Sequence, residues 1–197
     1  MALQAQGAPL PPSDSGSIKP EKVREGIDLE INGERFRHTG DPKMPLLWYL
    51  RDVLQLTGTK YAGEHGSGNG ADLVLINGKL TSAIAVTIEE LANAKDGKDS
   101  KVRSAHAKIA QVTTVEGLVD AHGKLHPLQQ AFIDEDAFGC GYCTPGWLMA
   151  GKELLDRKHN PGDDDIDQLP NLCRCGCQTR VRRAIKRAAG NLGGTKA

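Results

Sequence analysis

The stretch that decides the fold is Gly139-Cys140-Gly141-Tyr142-Cys143-Thr144-Pro145-Gly146, answered further on by Asn171-Leu172-Cys173-Arg174-Cys175-Gly176-Cys177. All five cysteines of the 197-residue chain lie in these two words. A disulfide framework fits poorly, because the number is odd, no apolar leader is visible, and a chain of this length buries a core without staples. Zinc sites usually close two C-x2-C knuckles on one tetrahedral ion, whereas the second pair here is C-x-C and follows 29 residues after the first. A [2Fe–2S] cluster takes two thiolates on each iron, and two separate pairs supply that. Spacing alone therefore ranks an iron–sulfur cluster first and leaves a structural zinc and unrelated buried thiols open.

Working outward, the C-terminal half reads as helices: Val115 to Ala121, Pro127 to Asp136, Thr144 to Lys158 and Arg180 to Ala189. Pro145 suits the first turn of a helix, where its missing N–H costs no hydrogen bond. In the last helix Val181, Ala184, Ile185 and Ala188 form an apolar stripe, while Arg180, Arg182, Arg183, Lys186 and Arg187 line the polar sides. That basic surface is read as a solvated face, with an acidic partner as the alternative. The N-terminal half has strand signals. Ile27, Leu29 and Ile31 alternate, Asn32-Gly33 turns, and Arg35 to His38 returns; Val74 to Leu80 turns at Asn77-Gly78. Between the hairpins, Pro45 opens a helix with Leu46, Leu47, Leu50, Val53 and Leu54 on one face. The fold class is α+β, a β-grasp sheet on one helix followed by a helical bundle.

The cysteine words with Trp147-Leu-Met-Ala-Gly-Lys and Arg180-Val-Arg-Arg-Ala-Ile resemble the small iron–sulfur subunit of the molybdenum hydroxylases, the xanthine oxidase and aldehyde oxidase superfamily. The resemblance is nearest to the isoquinoline 1-oxidoreductase type. Leu56-Thr-Gly-Thr-Lys-Tyr61, Val74-Leu-Ile-Asn-Gly-Lys79, Thr113-Thr-Val-Glu-Gly-Leu118 and Lys124 to Phe132 carry it over roughly residues 26 to 85 and 112 to 190. It implies a ferredoxin-like N-terminal domain and a four-helix C-terminal domain, each normally holding one [2Fe–2S] cluster. The C-terminal ligands would be Cys140, Cys143, Cys173 and Cys175. Gly141 and Tyr142 become candidate contacts to a molybdopterin cofactor on a partner, since Gly139 stands where the family usually has Gln. Cys177 stands where related sequences often carry Thr and is read as a packed bystander, with substitution for Cys175 or a weak hydrogen bond that tunes the cluster as the alternatives.

The first cluster is missing. The family's thiol positions fall on Glu64, Asn69, Asp72 and Ala83, in a glycine-rich loop one residue longer than the family pattern. Glu64, His65, Asn69 and Asp72 are metal-capable side chains, but Ala83 ligates nothing, and a shell without its cluster is the preferred reading. Glu89 to Ala110 is an insertion with a short helix around Ile88 to Ala94. The domains are then an N-terminal arm (1–25), a ferredoxin-like domain (26–110) and a helical [2Fe–2S] domain (111–197).

Balanced charge, with 25 basic and 25 acidic residues, gives no field for nucleic acid, and no run of 18 apolar residues argues for membrane insertion. His122, His126 and His159 read as surface or capping groups, and Asp163-Asp-Asp165 as a helix start. Helix-start amides near the thiolates would raise a cluster's potential. The expectation is an electron-transfer subunit with one [2Fe–2S] cluster. It would bind a large molybdopterin subunit, drawing electrons from it and passing them onward, for instance to a cytochrome or flavin subunit. The compartment expected is the cytoplasm, or the periplasm if a partner carries the export signal. The alternatives are a structural or assembly subunit with a zinc site, and a free-standing electron carrier.

Overall fold

Two hairpins of the same build frame the first half. The structure, a computed structural model, describes residues 26–63, 68–93 and 109–193, with 191–193 described by backbone alone. Strand β1 (Ile27–Ile31) pairs antiparallel with β2 (Glu34–His38) across Asn32-Gly33, and β3 (Leu73–Ile76) with β4 (Lys79–Ser82) across Asn77-Gly78. All four turn residues have positive φ, which matches the right-handed twist of the strands they join. Between the hairpins lies β5 (Gln111–Thr113), parallel to β1 and antiparallel to β3, so the order is β2-β1-β5-β3-β4. Residues 111–113, placed in the helical half on sequence, thus supply the centre of the sheet. Three residues with one buried side chain, Val112, show no period to read.

Helix α1 (Leu46–Trp48) runs into one wide turn, Tyr49–Val53, in which the Leu54 amide bonds the Tyr49 carbonyl at 3.0 Å. The wider winding corrects the expected face. Leu46, Leu47, Tyr49 and Leu50 are buried, while Val53 is 53% exposed. Helix α2 (Ile88–Asn93) buries Ile88 and Leu91 against the same core. The arm (1–25) and most of the insertion (94–108) lie outside the described residues.

The second half contains α3 (Pro127–Asp134), α4 (Thr144–Arg157), α5 (Asp163–Asp167) and α6 (Gln178–Gly193). The helix expected over Val115 to Ala121 is only a 3-10 turn, Val115–Leu118. Its polar groups are used sideways instead. The Glu116 carboxylate accepts from the Gly58 amide at 2.7 Å and the Thr114 hydroxyl at 2.5 Å. Asn32 and Thr114 exchange two further bonds, at 3.0 and 2.9 Å, so this segment stitches the halves together.

Strand β3 serves two cores with its alternate residues. Val74 and Ile76 join Leu29, Ile31, Leu46, Leu50 and Ile88, while Leu73 and Leu75 join the helical core of Leu128, Phe132, Met149, Leu154 and Ile185. Burial of these side chains at roughly 1.5–3 kcal/mol each is what holds the halves against one another. At Gly146 a Cβ would lie 1.7 Å from the Gly70 carbonyl oxygen, so α4 meets the glycine-rich loop backbone to backbone. Val181, Ala184, Ile185 and Ala188 of α6 are all buried, as their spacing predicts.

The basic side chains of α6 pair with acids of the same chain. Arg180 pairs with Asp136, Arg182 with Asp163 and Asp167, Arg183 and Arg187 with Glu135, and Lys186 with Asp163. Asp165 caps α5 by accepting from the Gly162 amide at 2.7 Å. Among the described residues no helix is long and apolar enough to cross a membrane.

Candidate metal centre

The two cysteine words are brought together by the starts of α4 and α6. Cys140, Gly141 and Tyr142 form a turn, with Gly141 at φ 81°, and the Cys143 carbonyl accepts from the Trp147 amide at 3.1 Å as α4 begins. The second word turns at Gly176, at φ 74°, whose amide bonds the Cys173 carbonyl at 3.1 Å. Gln178 closes that turn by donating Nε2 to the same carbonyl at 3.1 Å. Only a residue without a Cβ enters that left-handed region freely.

Four of the thiols pair across the words. Cys140 lies beside Cys175 and Cys143 beside Cys173, close enough for each thiol to influence its partner's titration. One pair is exposed, Cys140 with Cys175, and the other is buried. All five cysteines are free thiols. Among the described residues no three His, Cys, Asp or Glu side chains converge on a single ion position. Two thiol pairs side by side are the donor set of a binuclear cluster with two thiolates on each iron.

The metal-free thiols divide into donors and acceptors. Burial, with the hydrogen bond to Cys173, pushes the Cys143 thiol up to about 12. Cys173 resists its own burial and stays below the usual thiol range, because the Cys177 and Cys175 amides and the Cys143 thiol donate to it. In the exposed pair, the Tyr142 amide and the Cys175 side chain hold Cys140 low. The Cys177 amide reaches Cys173 Sγ at 3.4 Å, and the Cys140 amide reaches Cys175 Sγ at 3.4 Å. The donors that reach sulfur are therefore turn amides just ahead of the helices, not the first helical amides expected from the sequence.

Tyr142 is 43% exposed, and its hydroxyl donates to the Tyr61 carbonyl at 2.7 Å. The added Cβ at Gly141 would meet nothing within 4 Å, so that turn faces open space. Sequence reasoning missed Asn171, whose Nδ2 donates to the Gly70 carbonyl at 3.2 Å, while the Leu172 amide donates to the Asn69 carbonyl at 3.1 Å. Both cysteine words are thus tied to the loop of the first half. Cys177 is fully packed beside Cys173, and Arg180 donates Nη2 to its sulfur at 3.1 Å. The only sequence signal for this contact is the i, i+3 spacing of Cys177 and Arg180 at a helix start.

At the positions where the resemblance puts the first cluster, the described side chains are otherwise engaged. Asn69 Oδ1 accepts from the Ala71 amide at 3.0 Å, the buried Asp72 carboxylate accepts from the Ser82 hydroxyl, and Ala83 is buried. Glu64 and His65 lie outside the described residues.

A β-grasp sheet joined to a helical unit with four paired thiols defines an iron–sulfur protein of the two-domain ferredoxin-like class. Residues 114–186 match the [2Fe-2S] binding domain family. The chain is 38% identical over 165 residues to one of the subunits of nicotinate dehydrogenase from Pseudomonas putida, covering 83% of this chain and 94% of that protein. It is 37% identical to the alpha subunit of isoquinoline 1-oxidoreductase from Brevundimonas diminuta, covering 83% and 97%. The crystal structure of the aldehyde oxidoreductase from Desulfovibrio desulfuricans superposes with a TM-score of 0.71 at 32% identity, over 88% of this chain and 18% of that one. The chain belongs to the family of small iron–sulfur subunits of the molybdenum hydroxylases.

Proposed function

We propose that this chain is the electron-transfer subunit of a heteromeric molybdenum hydroxylase, with one [2Fe–2S] cluster held by Cys140, Cys143, Cys173 and Cys175. The observation that carries this reading is the cross-pairing of the thiols within the matched domain. One iron would take Cys140 and Cys175 at the surface, and the other Cys143 and Cys173 in the core. Bound there, a [2Fe–2S] cluster takes up, one at a time, the electrons released when an aldehyde or N-heterocycle is oxidised at the large subunit's molybdopterin centre. This chain's own work is to hold four sulfurs rigidly, to leave one pair at the surface, and to keep water from the other.

Gly141 and Tyr142 rim the exposed pair and are the proposed molybdopterin-side contacts, Gly141 through its backbone and Tyr142 through its ring. The remaining chain divides into the arm (1–25), the ferredoxin-like scaffold, extended to 26–113 because β5 belongs to its sheet, and the cluster-bearing part (114–197). With no thiol in the scaffold, electrons leave from the single cluster to an acceptor such as a cytochrome or flavin subunit. Free thiols suit the cytoplasm, or the periplasm if a partner carries the export signal. The test is iron, acid-labile sulfide and zinc per chain on anaerobically purified protein, with an EPR spectrum after dithionite. Iron and sulfide of one cluster, with a single S = 1/2 signal lost in Cys143→Ser, is the expected result. Zinc without redox activity moves the chain to a structural role, and iron for two clusters refutes the single-cluster reading.

A further inference from the structure

The surroundings of Cys173 hold more donors than gripping a metal requires. Cys177, 1% exposed, sends its amide to Cys173 Sγ at 3.4 Å, and its thiol is packed beside the same sulfur. Behind it Arg180 donates Nη2 to Cys177 Sγ at 3.1 Å and Nη1 to the Asp136 carboxylate. Asp136 is held for this at φ 48°, just past the end of α3. Gly139 completes the arrangement. A Cβ there would lie 3.0 Å from Cys175 Sγ and 3.4 Å from Cys177 Sγ, so a side chain at 139 would press on both sulfurs. Gly139 and Cys177, far apart in sequence, meet at one point in space.

We propose that Cys177 and Arg180 are positioning residues that raise the reduction potential of the cluster, through a hydrogen-bonded chain from the guanidinium by way of the Cys177 sulfur to Cys173 Sγ. Reduction adds negative charge that spreads onto the ligating sulfurs. A donor to such a sulfur, and a fixed positive charge behind that donor, favour the reduced state more than the oxidised one. Arg180 keeps its charge at every working pH. Its counter-ion Asp136 has a side chain 70% exposed and is screened by water, whereas Cys177 is shut away from it, so the guanidinium acts more strongly on the sulfur side. In a chain with one cluster, a shift in that cluster's potential passes directly into the step to the acceptor.

The inference rests on the proposed function, and its test separates the two. The full chain, purified anaerobically, is titrated potentiometrically while the EPR signal of the reduced cluster is followed. Cys177→Ala and Arg180→Gln should titrate at more negative potential than the unaltered chain with undiminished iron and sulfide. Cys177→Ser, which keeps an O–H donor, and Arg180→Lys, which keeps the charge, should fall between; these two also carry the test if the harsher variants do not fold. Equal potentials in all cluster-containing variants would overturn the proposal, leaving both residues as packing. So would a Cys177→Ala chain that loses iron while Cys175→Ala retains it, since Cys177 would then be a ligand. An unaltered chain without any cluster would sink the proposed function first, and this inference with it.

Discussion

The two halves of the molecule answer the same demand differently. In the helical half, five thiols converge where two helices begin, and the polypeptide around them supplies amide donors. In the ferredoxin-like half there is no cysteine, and the equivalent loop is held by Asn69, Asp72 and Ser82 through ordinary hydrogen bonds. A β-grasp shell with a full hydrophobic core keeps its shape by burial and such hydrogen bonds, without a cluster. The cluster half cannot do the same at its cysteines, because buried thiols facing one another give little cohesion without a metal.

Removing one polar group from each half tests that contrast most severely. Cys173→Ser is expected to abolish cluster iron and the reduced-state EPR signal, while Asp72→Ala leaves both intact. Asp72→Ala should still cost about 1–3 kcal/mol of stability, measured by urea melts, because the hydrogen bond between the buried Asp72 carboxylate and the half-buried Ser82 hydroxyl is lost. Retention of iron in Cys173→Ser would end the contrast.

The contact between the halves is tested next. Gly146→Ala must push the Gly70 carbonyl away, and a loss of about 1–3 kcal/mol is expected from overpacking, read as a lowered Tm. An unchanged Tm would mean that the two halves do not press on each other at this point. His126 offers a pH test confined to the helical half. Its Nδ1 accepts from the Leu128 amide at 3.2 Å and caps α3, and burial, followed by the charge of Lys152, lowers its pKa in the folded chain. The unfolded chain therefore binds the proton more readily. This part of the stability is fully present above the unfolded value of about 6.5 and is lost as pH falls through the lower folded value. Tm measured against pH should show that decline, and His126→Gln should flatten it. The smallest effect is expected at Glu135, a half-buried side chain that holds the exposed Arg183 and Arg187 at 2.9 and 2.6 Å. Glu135→Ala should cost about 0.5–1 kcal/mol, with the difference shrinking at high salt.

Much of the layout was legible because it is periodic or local. The Asn-Gly turns announce the hairpins, the stripe Val181, Ala184, Ile185 and Ala188 announces α6, and the acidic run at Asp163 announces α5. Strand β5 was not legible, since its place depends on β1 and β3 offering free edges to three residues with no pattern of their own. Val53 was misplaced because a single wide turn rotates it outward, and nothing local marks that turn. The same limit applies at the cysteines. Which residues are thiols could be read directly, but Cys140 with Cys175 and Cys143 with Cys173 is a pairing between distant words.

The ingredients, then, were written in one dimension: two Asn-Gly hairpins, an amphipathic last helix, five thiols in two words, and none in the loop of the first half. Side-chain chemistry and short-range backbone preference are properties of neighbouring residues, so they can be read without the fold. It took the folded chain to settle which thiol faces which, that Gly146 and Asn171 lock the loop to the cluster words, and that the arginines of α6 are spent on acids of this same chain. Those outcomes rest on contacts between residues tens of positions apart, and burial and hydrogen bonding choose among them only once the chain has closed on itself.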